Sequence, residues 1–588
     1  MRGPASVLRW LLLAYGLCLV VPWSPSVITD HYEYEMHVAA ARGLQFGRDV
    51  IATYGPLGYL GLPYFHARTF SRLIAGNAIA YLIGVLIVEW LRYPRAVPRP
   101  WRSAWACLIV SLPAFMSTHV YAPSLYLPFA LINLFVIDEF LAGVPRRVGR
   151  HIAFATILAV CTLVKPTFWV PIGAALATVS VDWVVTSRRF PIVLPVFAAA
   201  LVAVWLAAGQ RLQLIGSYFS ASVDVVVGFR EGMSYATRRS DAVALVFVAG
   251  SIVLVAAVAV STARQLGWRT AGPAATLSAS LFAVFQHGFA RPDAAHILPA
   301  CLALAMLTAV AIVAAGLGTL IGRAVAASAG LTLLACWWLG DGAPAFSILG
   351  AQPRQLWSLL VHGPARFDRA SEDNLRALAR AYPLAGAGEP IDTSAIDLAL
   401  GDANGLRSTV RPAITAYSAF TPGLAAADQR YFDDATAGPA TVLVDAAVGV
   451  DGRYPTVTDP LAWLSFRSRF EIARKTDRFL VLARRREPQS LRLVPLEQRS
   501  EPLGAVIDVP GHGDDPVWAQ IDVRLSTAGT ALSAAYKPPV VFITADTADG
   551  AATFQLTMAT ARAGMILSRC FAISTTSRRS CHRRGPAD

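Results

Sequence analysis

The sequence predicts an α-helical polytopic membrane domain of about eleven transmembrane helices, followed by an extracytoplasmic α/β and β-sandwich region. Composition is the first reason. The 588 residues are 55% apolar and only 15% charged, with a mean hydropathy of +0.49, whereas soluble domains usually carry about a quarter charged residues. Distribution is the second: apolar runs of membrane-crossing length recur as far as residue 339 and then stop. The third is the change beyond that point to frequent charges and short β-branched segments. Together these exclude a wholly soluble enzyme, a disordered chain and a disulfide scaffold.

A bilayer core of about 30 Å asks for roughly 20 apolar residues per helix. Runs that meet or approach this fall at 8–27, 73–91, 103–119, 124–140, 152–165, 168–186, 192–209, 242–260, 274–285, 297–315 and 324–339. Hairpins at Pro123 and Pro166 divide what would otherwise read as two overlong helices. The first run follows Arg2 and Arg9 as a secretory signal would, but it is long, and Pro22-Trp23-Ser24-Pro25 is not a small-residue cleavage site. It is read as the first span.

Charge placement orients the spans. Cutting after Gly340 leaves 24 Lys/Arg against 12 Asp/Glu before the cut and 27 against 26 after it, an excess of +12 and +1 respectively. A nucleic-acid binder would instead carry a basic stripe on its soluble part, so no nucleic-acid partner is expected. Loops kept in the cytoplasm are enriched in Lys and Arg. With the N-terminus inside, the inner segments collect Arg2, Arg9, Arg92, Arg95, Arg99, Arg102, Arg146, Arg147, Arg150, Arg188, Arg189, Arg264, Arg269 and Arg323. Eleven passes then place everything after Asp341 outside. The expected location is a bacterial inner (plasma) membrane. Of seven cysteines, five lie in apolar runs, where they behave as small apolar side chains, and no zinc-ligand spacing appears.

Titratable groups concentrate in the outward loops. Residues 28–72 open with Asp30, a good helix N-cap, and a short surface helix is expected over 30–43. There Asp30, Tyr34 and His37 share one face, with His31 and Glu35 on a neighbouring one. The bland reading is a solvated interfacial helix; the functional one rests on an acid/His cluster at the outer end of a membrane helix. The loop 210–241 carries Arg211, Asp224, Arg230, Glu231, Arg238 and Arg239. The short loop 286–296 packs His287, Arg291, Asp293 and His296 between two spans, and Lys165 sits at the outer end of another. Ionisable groups at a membrane boundary are functional candidates by default, although arginines also snorkel to headgroups. A divalent cation is the one cofactor these residues suggest: Asp30, His31, His37, Asp293 and His296 are suitable ligands, without a helical His-x-x-x-His to support them.

Residues 341–487 read as an extracytoplasmic α/β domain, with a helix over 371–382 and strand candidates at 391–396, 441–445 and 470–482. Residues 488–567 read as a β-sandwich suited to holding carbohydrate, with strands at 505–509, 517–525, 539–545 and 552–558. The last stretch, 568–588, is Arg/Ser/Cys-rich without periodicity and reads as a disordered tail. The membrane domain is taken as residues 1–340.

Several short motifs carry a resemblance. They are Gly47-Arg48-Asp49-Val50, Tyr54 within Thr53-Tyr54-Gly55-Pro56-Leu57-Gly58, Lys165-Pro166-Thr167, and His287-Gly288-Phe289 with Arg291, Asp293 and His296. In the soluble half they are Tyr417-Ser418-Ala419-Phe420-Thr421-Pro422 and Asp451-Gly452-Arg453-Tyr454-Pro455. With an early aspartate after the first span, the chain resembles the GT-C class of integral-membrane glycosyltransferases, and within it an uncharacterised bacterial subgroup. The next outer loop departs from the pattern, offering Ser117-Thr118-His119 where many of these enzymes have a second acidic pair.

The resemblance implies a GT-C-like catalytic membrane domain, a polyprenyl-phosphate-linked sugar as donor, and a glycan or lipid acceptor at the membrane surface. It makes Asp30 the catalytic base for an inverting transfer. His31, His37, Arg48, Asp49, Tyr54, Lys165, Arg230, Arg238, Arg239, His287, Arg291, Asp293 and His296 would bind substrate, the cations facing the lipid phosphate, where bidentate geometry favours arginine. An O-antigen polymerase or ligase, and a lipid or solute transporter, are the competing readings. Glu89, Asp138, Glu139 and Asp182 argue against the transporter, because each lies near an inner helix end beside arginines rather than along a translocation path.

Overall fold

The computed structural model describes residues 4–18, 21, 32–62, 64–90, 125–141, 148–188, 190–235, 238–339, 344–394, 398–445, 450–509, 515–547 and 550–567. The membrane-type half consists of α1 (Pro4–Cys18), α2 (Tyr32–Arg42), α3 (Phe70–Trp90), α4 (Leu127–Leu141), α5 (Val148–Val164), α6 (Trp169–Ser187), α7 (Val193–Ala207), α8 (Ile215–Gly232), α9 (Arg238–Leu266), α10 (Ala271–Phe289), α11 (Ala294–Ala314) and α12 (Thr319–Leu339). Among the described residues five helical stretches are long and apolar enough to cross a membrane: Pro166–Ser187, Leu212–Gly232, Ser240–Phe289, His296–Ala314 and Leu320–Trp338. Shorter apolar helices stand at Phe70–Ile83, Val148–Val164 and Val193–Ala207. The expected run 103–119 lies outside the described residues.

Helix α10 is the hub, packed against α4, α6, α9 and α11. Helix α4 is buried on every side, as expected of a helix with no polar face. Leu212–Gly232, which falls in a stretch the sequence presents as a loop, is helical. Both its ends meet the same side of the molecule. Gln210 is bonded to the backbone of Leu44 and Phe46 at one end, and Gly232 lies against Phe420 and Arg453 at the other. A helix whose two ends lie on one side runs along the bundle rather than through it.

At the opposite end of the bundle acids of the helices are paired. Arg150 reaches Asp138 at 2.5 Å, His151 reaches Glu139 at 3.1 Å, and Arg269 grips Asp182 with two bonds of 2.6 and 3.0 Å. Burying a lone charge in so apolar a setting is prohibitive, and these pairs remove that cost.

Residues beyond α13 (Pro344–His362) and α14 (Ala365–Ala381) build a soluble unit. Its sheet comprises β1 (Ile391–Ser394), β2 (Thr441–Val444), β3 (Phe470–Lys475) and β4 (Leu480–Arg484), in the order β1-β2-β4-β3. Strands β1 and β2 are parallel, and β4 runs antiparallel to both its neighbours. Alternate residues serve opposite faces: Val442, Val444, Leu480 and Leu482 pack with Phe432, Phe466 and Phe470, while Leu443 and Val481 pack with Leu384, Leu400 and Phe479. Leu400 stands on the short helix α15 (Leu400–Ala403), and helices α16 (Pro422–Asp433) and α17 (Ala462–Arg469) supply the first of those layers. The strand expected over 470–482 is a hairpin, turned where Thr476 bonds Phe479.

The β-sandwich expected over 488–567 takes a different form. Strand β5 (Trp518–Ala519) pairs β8 (Met565–Ile566), and β6 (Val541–Thr547) pairs β7 (Gly550–Leu556), giving two separate two-stranded ladders. The segment 505–509, which follows a turn at Leu503-Gly504, forms no strand and joins neither.

Among the described residues of the soluble unit two guanidinium groups are buried, Arg411 and Arg453. Arg411 is 1% exposed and donates to Asp392 and, at 3.2 Å, to Asp459, with its carbon 4.9 Å from the Phe432 ring centre. Asp428 lies in the same cluster, accepting from the Ala413 N–H at 2.8 Å. Three carboxylates around one cation are one too many for full ionisation. Burial pushes the Asp428 carboxyl up to about 6, Arg411 opposing it, and burial with Asp428's charge raises Asp459 as well. A folded-state value above the unfolded one stabilises fully below the unfolded value and loses that stability as pH rises toward the folded one. The soluble unit is therefore expected to melt at higher temperature near pH 4.5 than near pH 7, through this cluster. Asp428→Asn should flatten that dependence in a thermal-melt series.

Candidate functional site

The helix end that matters most is fixed by three consecutive residues. Helix α5 stops at Val164 because Pro166 disfavours helical backbone at the residue before it, and Lys165 is extended, at φ −154° and ψ 132°. The last carbonyls of α5 would be left without intrahelical donors. Instead Gly55 N–H bonds Val164 O and Leu57 N–H bonds Leu163 O, both at 3.0 Å. The approach is close enough that a Cβ on Gly55 would stand 2.3 Å from Leu163 O. This turn sets the Tyr54 ring 4.4 Å from the Lys165 ammonium, with the two polar atoms 3.4 Å apart.

A second glycine brings the other half of the site. A Cβ on Gly288 would lie 2.3 Å from that of Ala300, so α10 and α11 can touch there, and the His287 and His296 rings stand 5.9 Å apart. Lys165 Nζ lies 2.8 Å from His287 Nε2. A charged Lys165 has only donors and would require Nε2 to accept, with the His287 proton on Nδ1, which lies 3.5 Å from the Tyr126 hydroxyl. Glu33, in the first turn of α2, is the acid whose charge acts on Lys165.

From His296 the polar chain continues outward. Asp293 caps α11, accepting from the His296 N–H at 3.0 Å and from its Nδ1 at 2.6 Å. Its other oxygen takes Arg291 Nε at 2.7 Å. Burial alone would raise the Asp293 carboxyl, but His296 and Arg291 outweigh it and hold it below the usual range. Arg291 also grips Asp451 of the soluble unit with bonds of 2.8 and 3.3 Å, and Asp451 neighbours the buried Arg453 at 3.5 Å. The chain Asp451, Arg291, Asp293, His296, His287, Lys165, Tyr54 thus crosses from the soluble unit to the end of the apolar bundle.

The structure brings together Tyr54, Lys165, His287, Arg291, Asp293 and His296 from among the residues singled out by sequence. Asp30 and His31 lie outside the described residues, as do the side chains of Arg238 and Arg239. His37 is not part of the group. It is fully buried against the 62–69 segment, with Nδ1 2.8 Å from Thr69 and Nε2 3.2 Å from Leu62 O, and burial holds it neutral, at about 3. Arg48 and Asp49 bond each other at 2.7 and 2.9 Å in an exposed turn. Arg230 is spent on the carbonyls of Ser533 and Ala534. Sequence reasoning missed Glu33, Tyr126, Asp451 and Arg453. Asp451 and Arg453 did stand in a quoted motif, while Tyr126 carried no signal beyond being a hydroxyl beside Pro123. Among the described residues no three His, Cys, Asp or Glu side chains converge as a metal ion would require; Asp293 and His296 are committed to each other and to Arg291.

No family model, curated protein or solved structure matches this chain. Its chemistry has to be argued from these residues.

Removing Arg291 takes a shared cation from two carboxylates at once, leaving Asp293 with His296 and Asp451 with Arg453. Arg291→Ala is expected to cost about 2 kcal/mol, the usual scale for hydrogen bonds to charged groups, read as a lower melting temperature of the detergent-solubilised protein. Faster proteolysis between the soluble unit and the bundle should accompany it.

Proposed function

We propose that this protein is a membrane glycosyltransferase that moves a sugar from a polyprenyl-phosphate donor to an envelope glycan or lipid acceptor, with inversion, at the face of the bundle that carries the soluble unit. The supporting observation is the polar chain, half-buried at Asp451, Arg291 and Asp293 and buried at His296, His287 and Lys165, that ends at the boundary of an apolar bundle. A lipid-linked phosphate presents its charge at that depth, and its negative charge grows as the sugar leaves. Preorganised cations at such a place hold the leaving group more tightly in the transition state than before it.

In this reading Lys165 and Arg291 face the phosphate, His287 and Tyr54 orient Lys165, and Asp293 orients both Arg291 and His296. Asp30, three residues before Glu33, accepts the proton of the acceptor hydroxyl as its oxygen attacks the anomeric carbon. A positioned base of this kind contributes about 10²–10⁴-fold. The soluble unit, tied to the site through Asp451, receives the acceptor. The face is extracytoplasmic, with the N-terminus inside a bacterial inner membrane, by the arginine count of the loops. Pairing of Asp138, Glu139 and Asp182 at the other end of the bundle leaves those acids as structural partners and favours a transferase over a transporter.

The experiment is mass spectrometry of envelope glycans and of polyprenyl-phosphate sugars in a deletion strain complemented with variants. Wild type should restore a glycan modification that Lys165→Met and Asp30→Asn each reduce at least 100-fold, while both variants insert normally. Unchanged glycans and no accumulated donor in the deletion strain would remove the reading. A periplasm-dependent reporter fused after Gly340 should be active; silence there would reverse the orientation.

A further inference from the structure

Between the last residue of the sheet and β5 runs a segment that does nothing for its own chain. Gln489 N–H bonds Ser468 O, and from there to Val509 the chain is exposed and enters no helix or strand, with one turn at Leu503-Gly504 closed by Ala505 N–H to Pro502 O. Leu491, Leu493, Val494, Leu496, Leu503, Val506, Ile507 and Val509 are each between 43% and 89% exposed. Among the described residues the hydrogen bonds recorded within 490–509 are internal to it: Arg499 to Glu497, and Ala505 N–H to Pro502 O. Eight large apolar side chains along such an arm are left uncovered by their own chain.

The same chain carries an uncovered edge. Strand β6 pairs β7 on one side. Its other side makes no backbone bond with another element among the described residues, whereas β7 is bridged to Arg453. Val541 and Ile543 of β6 pack inward while Phe542 is 55% exposed. The edge is seven residues long, and beyond its 502–505 turn the arm offers Ala505 to Val509, a proline-free run in which Val506, Ile507 and Val509 are all exposed.

We propose that two copies of this chain associate by exchanging arms, residues 490–509 of each adding a strand to the β6 edge of the other. Extended peptides commonly complete open sheet edges in this way, and a reciprocal exchange closes with two-fold symmetry. The size fits: one arm supplies 20 residues, and a stable interface takes about 20–30 residues a side. A lipid surface is the poorer occupant. The arm carries Arg492 and Arg499 against Glu497, Glu501 and Asp508, a net charge of 2 − 3 = −1, which anionic headgroups do not attract, and its unpaired backbone groups would find no partners in hydrocarbon.

The test uses the full-length protein in lipid nanodiscs and in mild detergent. Light scattering should give a dimer, and Val506→Asp with Ile507→Asp should convert it to monomer with an unchanged melting temperature. Copies bearing Val506→Cys, mixed with differently tagged copies bearing Phe542→Cys, should form an intermolecular disulfide under oxidation that neither parent mixture forms. A monomer in both media, a dimer that survives the double aspartate variant, or a Val506–Phe542 cross-link that forms solely when both cysteines are in one chain would each overturn the proposal.

Discussion

Charge that must be buried organises this molecule. A bundle of apolar helices offers no solvent to an ionised side chain, so every charge placed against it needs a partner of suitable geometry. At one end Asp138, Glu139 and Asp182 are met by Arg150, His151 and Arg269. At the other, Lys165 is met by an imidazole, a tyrosine ring and the field of Glu33. The two ends differ in kind. Simple one-to-one pairs close the first, while at the second the partners form a chain that leads outward through His296, Asp293 and Arg291 to the soluble unit.

That chain explains why the soluble unit sits where it does. Its Asp451 loop meets Arg291, Arg453 donates to the backbone at Gly232 and Tyr417, and Gln555 reaches Ser234 O at 2.6 Å. Glu231 in turn receives the N–H of Ala559 at 2.8 Å. Most of these contacts use side chains of one unit and backbone of the other, so the two are registered by shape as well as charge. A group held through Arg291 responds to both units at once.

The soluble unit repeats the same physics on a smaller scale. Arg411 and its three carboxylates occupy a site from which water is excluded, and the surplus acid is accommodated by holding a proton. Replacing such a cluster with apolar residues often leaves stability unchanged or improved. Here its geometric effect is to fix the 409–413 segment against α16, and through the bond from Ile51 N–H to Pro412 O to anchor the soluble unit on the loop between α2 and α3.

The sequence by itself determined what depends on local composition: that the first half is membrane-type, where the charge lies, that α2 is a short helix, and that β1 and β2 are strands. It also marked Lys165, His287, Arg291, Asp293 and His296, because ionisable groups beside apolar runs stand out in any window. Only the tertiary structure decided which of these meet. His37 and Glu33 stand one turn apart on one helix, yet His37 packs against Thr69 and Leu62 while the charge of Glu33 acts on Lys165, because residues on one helix face still meet different neighbours along the helix axis. Asp451 joined the group across 160 residues of sequence, a pairing that no local pattern encodes. Strand partners over 488–567 were equally illegible. Alternating apolar residues announce a strand, but which edge completes it depends on what lies beside it in space.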